Sequence, residues 1–238
     1  MGELHNILTL ELIQMILKEY QLSRWGVHGI THWARVLENG LRLASYTGAR
    51  IPVVALFAVF HDSRRNNESK DPGHGKRGAK FAKTLNGKVF DLSEEDFALL
   101  ETACAYHTDS MTSGDITVQT CWDSDRLDLG RVGIVYDLRY LFTDAAKQPE
   151  LMKWACERSR ARFEPEICRQ WGICRWIEGD RGMSCKILIG FCPMVPVPTT
   201  RILRISSTFI SGLLRLNEPP HGRIRLGNLS MPMGADGG

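Results

Sequence analysis

Histidine and carboxylate are the residues of this chain whose types and spacing could do chemistry. Of its seven histidines, six (His5, His28, His32, His61, His74 and His107) lie in the first 107 residues. His61 is followed directly by Asp62, and Asp125 stands in the stretch WDSDRLD. Imidazole and carboxylate together form the ligand mix that suits Mn, Fe, Zn or Ni. An ion of that kind makes a bound water acidic enough to attack an ester near neutral pH. Such a site needs groups from several separate elements and an apolar scaffold to hold them.

The elements that must position these residues are helical by their periodicity. Residues 7–20 repeat apolar side chains at helical spacing, with Leu8, Leu12, Met15 and Ile16 on one side. A second helix is expected from about Thr31 to Ser45, with Trp33, Val36, Leu37, Leu41 and Ala44 facing inward. IPVVALFAVFHD is apolar nearly all round, with Pro52 suited to a first turn, so it reads as a central helix ending in His61 and Asp62. Adjacent helical residues point about 100° apart, so both reach one ion only at the helix edge, with neighbours closing the shell. His32 on the second helix and Asp125 on the sixth would do that.

SRRNNESKDPGHG reads as a loop ending at His74–Gly75, followed by a fourth helix through KRGAKFAKTL. Ser93 with Asp96 resembles a cap for a fifth helix, SEEDFALLETACAYH. A sixth helix should carry TVQTCWDSDRLDLGRVG, and another should run from Pro149 to about Arg160. His28 precedes His32 in an H-x-x-x-H spacing but lies before the helix, so its role stays open between ligand and core residue. Asp123 is the alternative carboxylate in WDSDRLD, and Arg126 is a candidate for an ion pair with Asp123 or Asp128.

Beyond residue 160 the pattern breaks into scattered Pro and Gly with no sustained period, so residues 161–238 read as an extension of uncertain fold. The formal net charge is +3; residues 1–160 hold 20 basic and 21 acidic residues, so the basic excess sits in the tail. That gives no clear nucleic-acid signal. No segment reaches the ~20 apolar residues of a membrane helix, and the N-terminus lacks a signal-peptide pattern. With seven Cys and no CxxC pair, the chain reads as a cytoplasmic protein with reduced thiols. Cys104 and Cys121 read as small core residues, and Cys168, Cys174, Cys185 and Cys192 lack the spacing of a zinc knuckle. Oligomeric state is not legible.

The order His32 in HWARV, His61–Asp62 in FAVFHD and Asp125 in DSDRLD resembles the HD-domain metal-dependent phosphohydrolase superfamily, over about residues 20–140. The resemblance implies an all-α HD-domain helical bundle over residues 1–160, with His32, His61, Asp62 and Asp125 on a divalent transition metal (Mn, Fe, Zn or Ni). In some branches extra histidines bind a second ion, which implies His74 and His107 there, with Asp62 bridging. No GYP signature marks the cyclic-dinucleotide branch, and SRRNNE lacks the Glu-Asp pair of the stringent-response hydrolases.

The function implied is hydrolysis of a small-molecule phosphoester, a nucleotide or related small phosphate, by water activated on one or two ions. Asp62, Glu68 and His107 are the catalytic candidates, the last two as proton donors to the leaving group. Arg64, Arg65, Lys76 and Arg77 flank the site in sequence and could hold phosphate. Two alternatives stand beside this: a di-iron oxygenase acting on a small substrate, and a non-catalytic module that binds nucleotide or metal.

Overall fold

The computed structural model describes residues 6–108, 114–135 and 137–171. They fall within the first of two units, Met1–Ile177; the second, Glu178–Gly238, lies outside the described residues, as does His5. Among the described residues the architecture is helical, with no strand and a single bridge between Asn86 and Phe90. The helices are α1 (Leu10–Glu19), α2 (Ile30–Thr47), α3 (Ile51–Phe60), α4 (His74–Leu85), α5 (Glu94–Tyr106), α6 (Ile116–Arg126), α7 (Pro149–Arg160) and α8 (Ile167–Gln170). None is long and apolar enough to cross a membrane.

Local sequence explains most boundaries. Thr9 caps α1 by accepting from the Leu12 N–H, Ser93 caps α5 through the Asp96 N–H, and Asp115 caps α6 through Thr117 and Val118. Pro52 and Pro149 sit in the first turns of α3 and α7, where a missing N–H costs nothing. The inward face of α1 differs from expectation: Leu12, Ile13, Ile16 and Leu17 are buried, while Met15 is exposed. The sixth helix is shorter than its pattern suggests. It stops at Arg126 and passes into a 3₁₀ turn, Leu129–Val132, as Asp128 turns inward.

The core is organised around α3. Every residue from Val53 to Phe60 is buried, and α2, α5 and α6 pack against this helix. Burying each large apolar side chain is worth roughly 1.5–3 kcal/mol, so α3 is fixed in place and its C-terminal end is a rigid platform. Cys104 and Cys121 are buried thiols in this core, as expected. Cys168 and Trp171 also pack into it, so the packed helices continue at least to Trp171. A smaller apolar cluster joins Leu43, Leu127, Leu141 and α7.

One close approach matters for chemistry. A Cβ on Gly75 would lie 2.1 Å from the Cys104 carbonyl oxygen and 2.9 Å from His107 Nδ1. Only glycine lets the start of α4 sit against the end of α5, and this brings His74 to His107.

Candidate metal centre

The end of α3 delivers His61 and Asp62 into a buried meeting point of α2, α4, α5 and α6. His61 folds back on its own helix, its Nδ1 donating to the Phe57 and Ala58 carbonyls, each at 3.1 Å. His32, on α2, points Nδ1 at Asp128 Oδ2, 2.7 Å away. His74 Nδ1 donates to the Asp71 carbonyl at 2.6 Å, and His107 Nδ1 to the Cys104 carbonyl at 2.8 Å. Each partner only accepts, so the ring proton belongs on Nδ1 and the Nε2 lone pair is left facing inward.

These lone pairs converge. His32 Nε2 lies 3.0 Å from His61 Nε2, and His74 Nε2 lies 3.0 Å from His107 Nε2. Two imidazole lone pairs at that distance repel unless a cation lies between them. Asp62 stands in the middle. Its Oδ2 is 3.6 Å from His32 Nε2 and 3.7 Å from His61 Nε2; its Oδ1 is 3.1 Å from His74 Nε2 and 3.7 Å from His107 Nε2. Asp125 Oδ1 is 3.4 Å from His32 Nε2 and 3.8 Å from His61 Nε2, and it is buried with no hydrogen-bond donor among the described residues. Ligand atoms about 2.1 Å from one ion lie about 3.0–3.4 Å apart in octahedral or tetrahedral shells, so the donor set and its spacing fit a divalent metal. The groups His32, His61, Asp125 and Asp62, His74, His107 could each hold one ion.

The charges follow from burial and neighbours. Burial lowers the His61 pKa to about 3, which keeps the ring neutral and able to ligate. Burial opposes ionisation of Asp62, but the surrounding imidazoles, His61 foremost and His28 at 2.7 Å, outweigh it and hold the carboxyl well below its ordinary range. Asp125 is likewise lowered against its own burial, by His61, His32 and Arg131. His107 is raised despite burial, because the carboxylates of Asp62 and Asp125 beside it favour its charged form.

WDSDRLD contributes three carboxylates with three separate duties. Asp123 accepts from the Phe142 and Thr143 N–H groups and the Thr143 hydroxyl, so it caps a turn and faces away from the histidines. Asp125 faces the cluster. Asp128 binds Arg35 in a fork, at 2.7 Å to Nε and 3.0 Å to Nη2, and orients His32. Arg126, weighed as a partner of Asp123 or Asp128, donates to the Tyr140 carbonyl at 2.7 Å, and Asp128 is taken by Arg35 and His32. The roles of Arg35 and Asp128 were missed in the sequence, although a signal was there. Each stands three residues after a ligand candidate, the spacing that puts two helical side chains on one face.

Asp71 was also missed. Its carboxylate accepts from the Asn66 N–H and Arg77 and closes the loop before α4, while its carbonyl orients His74. His28 Nδ1 lies 2.7 Å from Asp62 Oδ2, in the cluster and slightly open to solvent.

The cations expected near the site divide. Arg65 is buried in it, with Nη1 3.3 Å from Asp62 Oδ1 and 3.2 Å from His74 Nε2. Arg64 points instead to the Glu19 carbonyl and carboxylate. Arg77 is spent on Asp71 and on the Arg64 and Pro72 carbonyls, and Lys76 is exposed over the Tyr106 ring. Glu68 is exposed, with Oε1 2.0 Å from where a Gly26 Cβ would be, and its charge and that of Asp62 both act on Tyr20.

No family model and no curated protein matches the chain. A solved structure of a predicted HD superfamily hydrolase from an uncultured Thermotogales bacterium is similar to it. The two share 23% identity over 68% of this chain and 91% of that one, with a TM-score of 0.45.

Proposed function

We propose that this chain is a metal-dependent HD-type hydrolase that cleaves a phosphoester of a nucleotide or related small phosphate. One observation carries the reading: four Nε2 lone pairs, each fixed by an Nδ1 hydrogen bond, converge in two pairs on the two oxygens of Asp62. His32, His61, Asp62 and Asp125 would hold one ion, and Asp62, His74 and His107 a second. A divalent metal there supplies Lewis acidity toward a phosphoryl oxygen and acidifies water.

The chain's own residues do the remaining work. Arg65 stands at Asp62 Oδ1, where its guanidinium can meet charge growing on a phosphoryl oxygen. His28 holds Asp62 Oδ2 and fixes the carboxylate plane. Of the two proton-donor candidates, His107 has Nδ1 on Cys104 and Nε2 turned to His74 and Asp62. Glu68, on the exposed loop after Arg65 and beside Gly26, is the other donor candidate for a leaving group.

A panel of nucleotides and small phosphomonoesters tests the proposal, with metal content read by elemental mass spectrometry on protein kept from chelators. Metal-dependent phosphate release is expected. A protein that binds no metal, or binds it and releases no phosphate from any member, would sink it. The oxygenase reading has one observation in its favour, the second ligand group at His74 and His107, which one-ion hydrolysis does not need. Dioxygen uptake without phosphate release would select it.

A further inference from the structure

Beside the cluster lies a cleft that none of the metal-facing side chains fills. Trp25 and Thr31 line it from the loop and first turn of α2, with Arg35, Arg131, Arg162 and Glu164. It holds about 40 Å³ open to the centre of a water-sized sphere, a few times the ~10–15 Å³ that one water needs. That is room for a small polar group.

The three arginines differ in what they have left to offer. Arg35 is spent on Asp128 and on the Phe163 carbonyl. Arg131 donates Nε to the Val27 carbonyl and Nη1 to the Asp128 carbonyl, both uncharged, and its Nη2 has no partner among the described residues. The carboxylates nearest to it are Asp128 Oδ2 at 3.8 Å and Asp125 Oδ1 at 4.0 Å. Arg162 is exposed and makes one long hydrogen bond among the described residues, 3.5 Å to the Arg131 carbonyl. Its φ of 48° is the left-handed position that ends α7, where the Arg162 N–H donates to the Ser159 carbonyl and the Phe163 N–H to the Arg158 carbonyl. Two guanidinium groups thus face a small cleft with Glu164 as the opposing charge on its wall. The same Arg131 reaches toward Asp125, so the cleft adjoins the cluster.

We infer that this cleft is an oxyanion subsite, where Arg131 and Arg162 hold a second anionic group, phosphate or carboxylate, of the molecule whose reacting ester lies at the cluster. Describing that molecule as a substrate rests on the hydrolase reading; the binding of an oxyanion does not.

Calorimetric titration of the full-length, metal-loaded protein with inorganic phosphate, and separately with acetate, tests it. The tighter of the two names the anion class. Arg162→Gln should weaken that binding at least about tenfold, as expected for a lost charge-assisted hydrogen bond, with metal content unchanged, and Arg162→Lys should restore most of it. Glu164→Gln removes the opposing charge and should tighten binding a few fold, a gain that misfolding cannot produce. Unchanged affinity in Arg162→Gln would overturn the inference, because the anion would then sit at the metals; so would no gain in Glu164→Gln. Arg162-dependent binding in a protein that hydrolyses nothing would remove the proposed function and leave the subsite. Hydrolysis with Arg162-independent anion binding would do the reverse.

Discussion

The two halves of the histidine cluster meet at one carboxylate and are built from different material. His32, His61 and Asp125 stand on α2 and at or near the ends of α3 and α6, elements locked together by the core. His32 is oriented by a carboxylate, Asp128, itself gripped by Arg35. His74 and His107 stand at the ends of α4 and α5, oriented by backbone carbonyls, and Arg65 lies against them. A carboxylate makes an imidazole a stronger donor to metal than an amide carbonyl does, and a guanidinium 3.2 Å from His74 Nε2 opposes a second cation. The first half should therefore hold its ion more tightly, and the second should be the one that exchanges.

The largest break is at the shared residue. Asp62→Ala should lose both ions and lower phosphoester hydrolysis by at least about 10³-fold. Elemental analysis that finds one ion retained would mean the halves do not share Asp62. On the two-ion proposal, His107→Ala should empty the second half alone, giving one ion per chain instead of two; loss of both would show that the halves are not separable. Asp128→Asn sharpens the contrast from the other side. It should weaken the first ion by about 10–100-fold and leave the second in place, read by competition with a chelating dye. It should also lower the melting temperature, because Arg35 loses its buried counter-charge.

Acid should separate the halves in opposite directions once metal is stripped. Burial keeps His61 neutral down to about 3, whereas the unfolded ring takes a proton near 6.5. Its contribution to stability therefore falls as pH drops from about 6.5 to about 3. His107 is raised above the ordinary value, Asp62 outweighing its burial, so its contribution is full below about 6.5 and is lost as pH rises through the raised pKa. Imidazole titration by NMR in chelator-treated protein should find His107 charged where His61 is neutral; the reverse order would contradict the geometry. The smallest effect belongs outside both halves. Arg64→Ala, tied to Glu19 at the surface, should leave metal content and activity within about twofold.

Much of this was legible in the chain itself. The helical spans follow from apolar spacing and caps, with α3 readable as central because it is apolar on every side. His32, His61, Asp62, His74, His107 and Asp125 stood out by type and placement, and the structure gathers them into two adjoining groups of three, His32 with His61 and Asp125, and Asp62 with His74 and His107. The phosphate-binding expectation fared differently: of four cations close in sequence, only Arg65 enters the cluster, because Arg64 and Arg77 serve the loop and α1. The two cations assigned to the cleft, Arg131 and Arg162, come from segments far along the chain.

By itself the sequence determined most of the helices and the residue types capable of ligation, because periodicity and side-chain chemistry are local properties. The tertiary structure alone decided how the three carboxylates of WDSDRLD divide into cap, ligand and orienting group, and which ring nitrogen each histidine spends on its support. It also decided that His28 joins Asp62 and that Gly75 lets two helices close on each other. Those choices depend on which faces meet and at what separation, and no pattern along a single strand of sequence carries that information.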